Sequence, residues 1–109
     1  MGAKISIGWA SRDVTPDRPV SLRGHFNVRI ATRVQDPLTL TALALESNGE
    51  YVVMASMDVC TVEVEVLEGA RAALAKRLPD FDPCRLIVSA THTHTAPFSG
   101  SLAGLQKDA

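Results

Sequence analysis

The chain has 109 residues, of which 46% are hydrophobic and 21% charged, a composition typical of one small globular domain. Eleven lysines and arginines against twelve aspartates and glutamates give a formal net charge of −1, so charge indicates neither a nucleic-acid partner nor an anionic membrane surface. No apolar run approaches the roughly 20 residues of a membrane span, and we expect no transmembrane segment. No signal peptide is apparent, so the default expectation is the cytoplasm.

The first half of the chain predicts a strand followed by a long loop. Residues 5 to 14 alternate between apolar and polar side chains, which predicts a strand. One face of that strand carries apolar side chains, and we expect the tryptophan among them to lie in the core: Ile5, Ile7 and Trp9. Residues 15 to 37 are rich in proline, aspartate and arginine, which predicts an irregular segment. A loop of that length in a compact domain is usually functional or disordered.

A hairpin is the next predicted unit. Residues 38 to 47 and 51 to 58 form two apolar runs on either side of Asn48-Gly49, the strongest short-range signal for a β-hairpin. Both faces of the first run are partly apolar, which favours a strand that is covered on both sides.

A helix and a final strand complete the predicted fold. Thr61 is the expected cap of a helix that runs to about Leu78 and stops before Pro79. Its predicted apolar stripe consists of Val64, Leu67, Ala70, Leu74 and Leu78. Residues 85 to 90 then form a buried strand, parallel to the one before the helix. The prediction is an α/β or α+β fold, a β-β-β-α-β mixed sheet with one main helix, and residues 1–109 as part of a larger domain.

The strongest functional signal is a pair of histidines after the last strand. His92 and His94 lie two residues apart among threonines. If the strand persists through them, both imidazoles point to one face and could share a metal ion. Zinc suits imidazole ligands and a catalytic site with three protein ligands plus water. The alternative is a pair of surface or hydrogen-bonded histidines.

Other polar residues are weaker candidates for the same site. Asp58 closes the neighbouring strand and could ligate a metal or accept a hydrogen bond from a ligating imidazole; a helix N-terminal acid is the alternative. Asp13 could act in the same way or cap its own turn. Gly24 and His25 are possible site-lining residues in the long loop, with the glycine there most simply for its backbone freedom.

The two cysteines show no metal-binding spacing. Cys60 follows one predicted strand, and Cys84 opens another 24 positions later. Buried free thiols are therefore expected, because neither a CxxC pattern nor a secretory address is present.

Several of these residues stand in an order that resembles the N-terminal part of the catalytic domain of the neutral/alkaline non-lysosomal ceramidase family. The resemblance covers nearly all of residues 5 to 100. It rests on the segments Gly8-Trp-Ala-Ser-Arg-Asp13-Val-Thr-Pro16, Leu22-Arg-Gly24-His25, Asp36-Pro37-Leu38, Met57-Asp58-Val59 and Ser89-Ala-Thr-His92-Thr-His94-Thr-Ala-Pro97. Thr91-His92-Thr93-His94 with its following proline is the most specific of them.

The resemblance implies a zinc amidohydrolase of sphingolipid metabolism that cleaves the N-acyl bond of ceramide. It implies that His92 is a zinc ligand and that His94 interacts with the reacting group. The family's further ligands, a second histidine, a glutamate and a tyrosine, lie far downstream of the corresponding point. Family members continue after the histidines with Ser-Gly-Pro-Gly, whereas this chain has Thr95-Ala96-Pro97-Phe98.

Besides a ceramidase-like hydrolase, a second possibility stays open at this stage. The chain could be an inactive fragment, or a module that binds a metal or a partner without catalysis. In that case the rest of a catalytic domain or a second copy would cover its sheet. The His-x-His-x-Asp-His pattern of metallo-β-lactamase-like enzymes is a third possibility, but Ala96 and Pro97 occupy the positions of its aspartate and histidine.

Overall fold

A mixed four-stranded sheet with one helix and a small separate hairpin forms the fold. A computed structural model describes residues 4–24, 27–97 and 99. The elements in chain order are β1 (Ser6–Asp13), β2 (Val20–Ser21), β3 (Ile30–Ala31), β4 (Thr39–Ser47), β5 (Glu50–Met57), α1 (Val64–Arg77), a 3-10 helix (Pro83–Arg85) and β6 (Leu86–Ala90). In this described part, no helix is both long and apolar enough to cross a membrane.

The β4–β5 hairpin forms as predicted. Its two-residue loop joins Ser47 to its partner Glu50, with φ of 53° at Asn48 and 80° at Gly49. Positive φ at both central residues is the requirement of a type I′ turn, whose twist matches that of the strands it joins. The turn therefore sets the antiparallel register of β4 and β5.

The strand order is β1-β4-β5-β6, with β1, β4 and β5 antiparallel and β5 and β6 parallel. The helix α1 forms the crossover between the two parallel strands, which confirms the predicted β-β-β-α-β mixed sheet. The predicted irregular segment 15–37 also contains the two-residue strands β2 and β3, which pair with each other. Strands this short leave no periodic pattern in the sequence.

The N-cap of helix α1 lies two residues later in the chain than predicted. Its N-cap is Glu63, whose carbonyl accepts from the backbone N–H groups of Val66 and Leu67 at 3.0 and 3.4 Å. The prediction that Thr61 caps the helix is therefore wrong. The Ser99 hydroxyl instead accepts from the Glu63 backbone N–H at 3.1 Å and donates to the Glu63 carboxylate. A contact between residues this distant in sequence cannot be read from a local capping pattern.

The predicted stripe of α1 is only partly covered. Leu67, Ala70 and Leu74 are half-buried, whereas Val64 and Leu78 at the two ends are exposed. The predicted end of the helix is correct, because the Leu78 N–H still donates to the Leu74 carbonyl at 2.8 Å and proline follows.

The best-packed part of the chain lies at the carboxyl ends of β5 and β6. Met57, Val59 and Ala96 form a buried cluster there. Partly buried apolar side chains pack around it: Leu38, Leu40, Val62 and Ala90. The core thus holds the two segments that follow these strands, 58–62 and 91–97, against each other.

One face of the sheet is apolar and exposed, which overturns the prediction that Trp9 is in the core. Trp9 is 76% exposed and Ile7 58% exposed. Residues paired directly across adjacent strands point to the same face of a sheet. The pairing therefore continues this surface, the exposed apolar sheet face, across all four strands. Its residues are Ile7, Trp9, Leu43, Leu45, Val52, Met54 and Ile87. The opposite face carries the buried side chains of Ala55, Met57 and Leu86.

Asp58 joins the end of β5 to the start of β4. Its carboxylate accepts from the backbone N–H of Thr39 at 2.9 Å and from the Thr39 hydroxyl at 3.0 Å. The backbone N–H of Thr39, more than any other contact, lowers the pKa of this carboxyl group. Partial desolvation opposes the shift, and hydroxyl hydrogen bonds from Thr39 and Thr91 add to it. The ionised form is therefore the one that the fold stabilises.

We predict that Asp58→Asn destabilises the chain at neutral pH by on the order of 1 kcal/mol, because the amide keeps the acceptor geometry but loses the charge. The folded-state pKa lies below the unfolded value of about 3.9, so the charge contributes fully above that value and its contribution is lost as pH falls. Urea unfolding from pH 7 to pH 3 measures this. A wild-type advantage that grows on acidification would contradict the account.

Candidate metal site at the end of the parallel strands

The two candidate histidines lie in a loop that follows β6. The condition considered in the sequence analysis, a strand that persists through both histidines, is not met, because β6 ends at Ala90 and His92 has φ of 67°. Two backbone hydrogen bonds hold this turn: Thr91 N–H donates to the Met57 carbonyl at 3.0 Å, and His92 N–H to the Val59 carbonyl at 2.9 Å. A histidine in the left-handed region is uncommon and persists where its surroundings fix it.

The imidazoles nevertheless converge. Nε2 of His94 lies 3.4 Å from Nε2 of His92, and the ring centroids are 5.0 Å apart with the rings nearly perpendicular. Two nitrogen ligands at about 2.0–2.1 Å from a tetrahedral zinc ion are about 3.3–3.4 Å apart. The spacing of the two Nε2 atoms therefore fits a shared metal ion.

The backbone of Cys60 orients the first histidine. Nδ1 of His92 lies 2.8 Å from the Cys60 carbonyl oxygen. Since a carbonyl only accepts, we assign the proton of the neutral ring to Nδ1, which leaves the lone pair on Nε2. Metal-ligating histidines commonly have this arrangement, in which the far nitrogen donates to a carbonyl and so fixes the ring.

Gly24 packs directly against the second histidine. A Cβ at Gly24 would lie 2.5 Å from Nδ1 of His94, and its φ of 102° is one that other residues rarely adopt. The position thus requires glycine both for backbone conformation and for space. His25, the other predicted residue of this loop, lies outside the described residues.

The same loop supports the histidine segment from its backbone. The Arg29 guanidinium donates through Nη2 to the carbonyl of His94 and, at 3.2 Å, to that of Arg23. The Arg23 N–H in turn donates to the Ala96 carbonyl at 2.9 Å. The long loop is therefore part of the site's structure.

The thiol of Cys60, which the sequence analysis did not assign to the site, lies beside the two histidines. Sγ of Cys60 is 3.6 Å from Nδ1 of His92. One ligand atom each from Cys60, His92 and His94 can be chosen so that all lie within 4.8 Å of one another. The signal was its position just after β5, because the carboxyl ends of adjacent parallel strands meet at one edge. Both thiols are free, as predicted, but their predicted burial is wrong, because Cys60 is only partly buried and Cys84 is exposed.

The two candidate aspartates have other partners. Asp58 contacts Thr39 and also Thr91, the residue before His92, so it supports the loop backbone. Asp13 accepts from the Thr15 N–H at 2.8 Å and caps its own turn, the alternative considered for it. Two hydrogen bonds from Thr15, the larger effect from its side chain and the smaller from its backbone, lower the pKa of Asp13.

A cavity of about 760 Å³ adjoins the histidine segment. Thr93 and Thr95, which flank His94, lie on its wall together with Asp58. The remaining wall comes from Pro97 and from the long loop and its end, over 15–20, 22 and 31–38. The two histidines do not line the cavity, so the candidate metal site lies beside it. A cleft of this size would accommodate a small organic ligand.

The structure is similar to parts of two solved ceramidases. It matches neutral ceramidase from Pseudomonas aeruginosa with a TM-score of 0.76 and 19% identity, over 89% of this chain and 16% of that chain. It matches a ceramidase complexed with C2 with a TM-score of 0.71 and 18% identity, over 88% of this chain and 16% of that chain. No family model and no curated protein sequence matches the chain.

This likeness concerns the fold. The chain spans about a sixth of the length of either ceramidase, at 16% coverage. The expected resemblance is confirmed at this level: the mixed sheet with its crossover helix and small hairpin has the fold of one part of neutral ceramidase.

We predict that Gly24→Ala displaces the His94 ring and lowers the free energy of unfolding by about 1–3 kcal/mol, because the methyl group overlaps the imidazole and φ is unfavourable. NMR of the histidine rings and urea unfolding measure both effects. Gly8→Ala in β1 is the matched control, since a Cβ there has nothing within 4 Å. Unchanged His94 resonances in Gly24→Ala would contradict the packing described.

Proposed function

We propose that this chain contributes the first zinc ligand and a neighbouring catalytic histidine to a ceramidase-like amide hydrolase. The observation that supports this most directly is the 3.4 Å separation of the Nε2 atoms of His92 and His94, with Nδ1 of His92 anchored on a backbone carbonyl. The same separation also fits a hydrogen bond between the two rings, which is the alternative kept open in the sequence analysis. The family motifs and the fold likeness make ceramide or a related lipid amide the proposed substrate.

The donor chemistry at this edge suits zinc. Imidazole nitrogens are borderline ligands that zinc accepts readily, and the site needs no redox-active metal. When bound, zinc supplies a Lewis acid that polarises an amide carbonyl and makes water acidic enough to act as a nucleophile near neutral pH. His92 would hold the ion through Nε2, since Nδ1 is engaged by the Cys60 carbonyl.

The second histidine is suited to act on the reacting amide. Nε2 of His94 faces the same point as Nε2 of His92, and Thr93 and Thr95 beside it border the cavity. From there the imidazole would hydrogen-bond the developing negative charge on the carbonyl oxygen or carry a proton to the departing amine. Gly24 fixes the ring by leaving it just enough room.

The catalytic site needs metal ligands beyond His92. A catalytic zinc ion generally has three protein ligands and one open position. By the family pattern, a second histidine, a glutamate and a tyrosine would come from the remainder of a catalytic domain. Amide hydrolysis is therefore proposed for a protein that combines these residues with that remainder.

The exposed apolar sheet face favours a second candidate, a binding module without catalysis of its own. Trp9, Ile7 and Ile87 are each more than half exposed, which is unusual for a sheet that stands alone. Another protein layer, from the same catalytic domain or a second copy, would cover them. Sedimentation of the 109-residue chain tests this, and a monodisperse monomer that unfolds cooperatively would count against it.

For the catalytic proposal, we predict that His92→Ala in the full-length gene product removes bound zinc and hydrolysis of a fluorescent short-chain ceramide together. His94→Ala in the same full-length product should keep zinc, because His92 and the further ligands of the family pattern still hold it, and should lose about 10²–10⁴-fold in kcat, the range expected for loss of a proton-transfer group. Zinc content and steady-state kinetics measure the two effects. Cys84→Ser, whose thiol is exposed away from the histidines, is the control.

Full activity with unchanged zinc content in His92→Ala would refute the proposal. Equal loss of zinc in both histidine variants would instead assign both side chains to the metal.

A further inference from the structure

We propose that the Cys60 thiolate is a ligand of the same ion as His92, and that Cys60, His92 and His94 form a mixed sulfur–nitrogen metal site in the substrate-free chain. The inference rests on the proposed function for the position of the ion. It adds a ligand that neither the sequence pattern nor the family resemblance supplied.

The distances among the donor atoms support this site. One ligand atom from each of the three residues lies within 4.8 Å of the other two. In tetrahedral zinc sites, bond lengths of about 2.3 Å to sulfur and 2.0–2.1 Å to nitrogen separate the ligand atoms by about 3.3–3.6 Å. The two Nε2 atoms already have this separation at 3.4 Å. Sγ of Cys60 lies 3.6 Å from Nδ1 of His92, so closing the triangle on the two Nε2 atoms requires the thiol to rotate about its Cα–Cβ bond.

The backbone brings these donors together without the metal. The carbonyl of Val59 accepts from His92 N–H at 2.9 Å, and the next carbonyl, that of Cys60, lies 2.8 Å from Nδ1 of His92. Val59 is fully buried, so the chain on the N-terminal side of Cys60 is fixed in the core. These contacts keep the thiol near the imidazole before a metal ion binds. Less conformational entropy is therefore lost when the ion binds.

The chemistry of the three groups makes the site selective. A thiolate with two imidazoles suits zinc or cobalt better than magnesium or calcium, which prefer oxygen ligands. Coordination converts the thiol to a thiolate, so metal binding releases a proton to the solvent. In the 109-residue chain by itself, three protein ligands leave one position of a tetrahedral ion open.

Cobalt(II) titration of the 109-residue chain tests the thiolate ligand, because thiolate coordination to cobalt gives a charge-transfer band in the near-ultraviolet that imidazole ligands alone do not give. The chain has two cysteines, so Cys84→Ser leaves Cys60 as its only thiol. We expect the band in the wild type and in Cys84→Ser, and its loss in Cys60→Ser with an affinity for cobalt weakened more than about tenfold. Circular dichroism confirms that each variant is folded.

The decisive sample is Cys84→Ser, which does not depend on the folding of Cys60→Ser. If Cys84→Ser binds cobalt without the band, or binds none, the thiolate ligand is refuted. His92→Ala separates this result from the proposed function. Loss of cobalt binding in His92→Ala, with no thiolate band in Cys84→Ser, would leave His92 as a ligand and remove Cys60 alone.

Discussion

The candidate site depends on the parallel pairing of β5 and β6 and on its extension past the ends of both strands. Hydrogen bonds from Thr91 and His92 to the carbonyls of Met57 and Val59 continue the alignment where the regular ladder has stopped. They bring the segment with the histidines beside the segment with Cys60. The carboxyl ends of parallel strands are a common place for binding sites because separate loops meet there in this way.

This extension places the site directly on the best-packed part of the molecule. Val59 and Ala96 are fully buried and belong to the two segments that meet. A rigid base of this kind holds His92 at a positive φ, a conformation that a mobile loop would relax. On the other side, Gly24 lies against His94 and restricts its ring. The two imidazoles are thus held from both sides before any metal binds, which is the preorganisation that a catalytic metal site needs.

The sequence predicted the sheet well because its signals are local. The Asn48-Gly49 turn, the crossover helix and the final apolar strand each have a pattern confined to a few residues, and together they determine the strand order. The prediction failed where contacts between residues distant in sequence determine the structure. Ser99 holds the start of α1 in place of Thr61, and Trp9 is exposed because the buried side chains of the sheet lie on its opposite face.

The histidine pair was predicted for a partly wrong reason. A continuing strand would have put both rings on one face, whereas the structure brings them together through a left-handed turn at His92. Cys60 was expected to be a free thiol and was not assigned to the site, because spacing rules search for ligands close in sequence and Cys60 lies 32 positions from His92. Such ligands become visible only when the pairing of the two strands is known.

The most direct measurement is the position of zinc in a crystal of the zinc-loaded protein, located by anomalous scattering at the zinc edge. The account predicts a single strong peak about 2.0–2.1 Å from Nε2 of His92, on the side that faces His94. Zinc bound elsewhere, or no peak near His92 at saturating zinc, would contradict it.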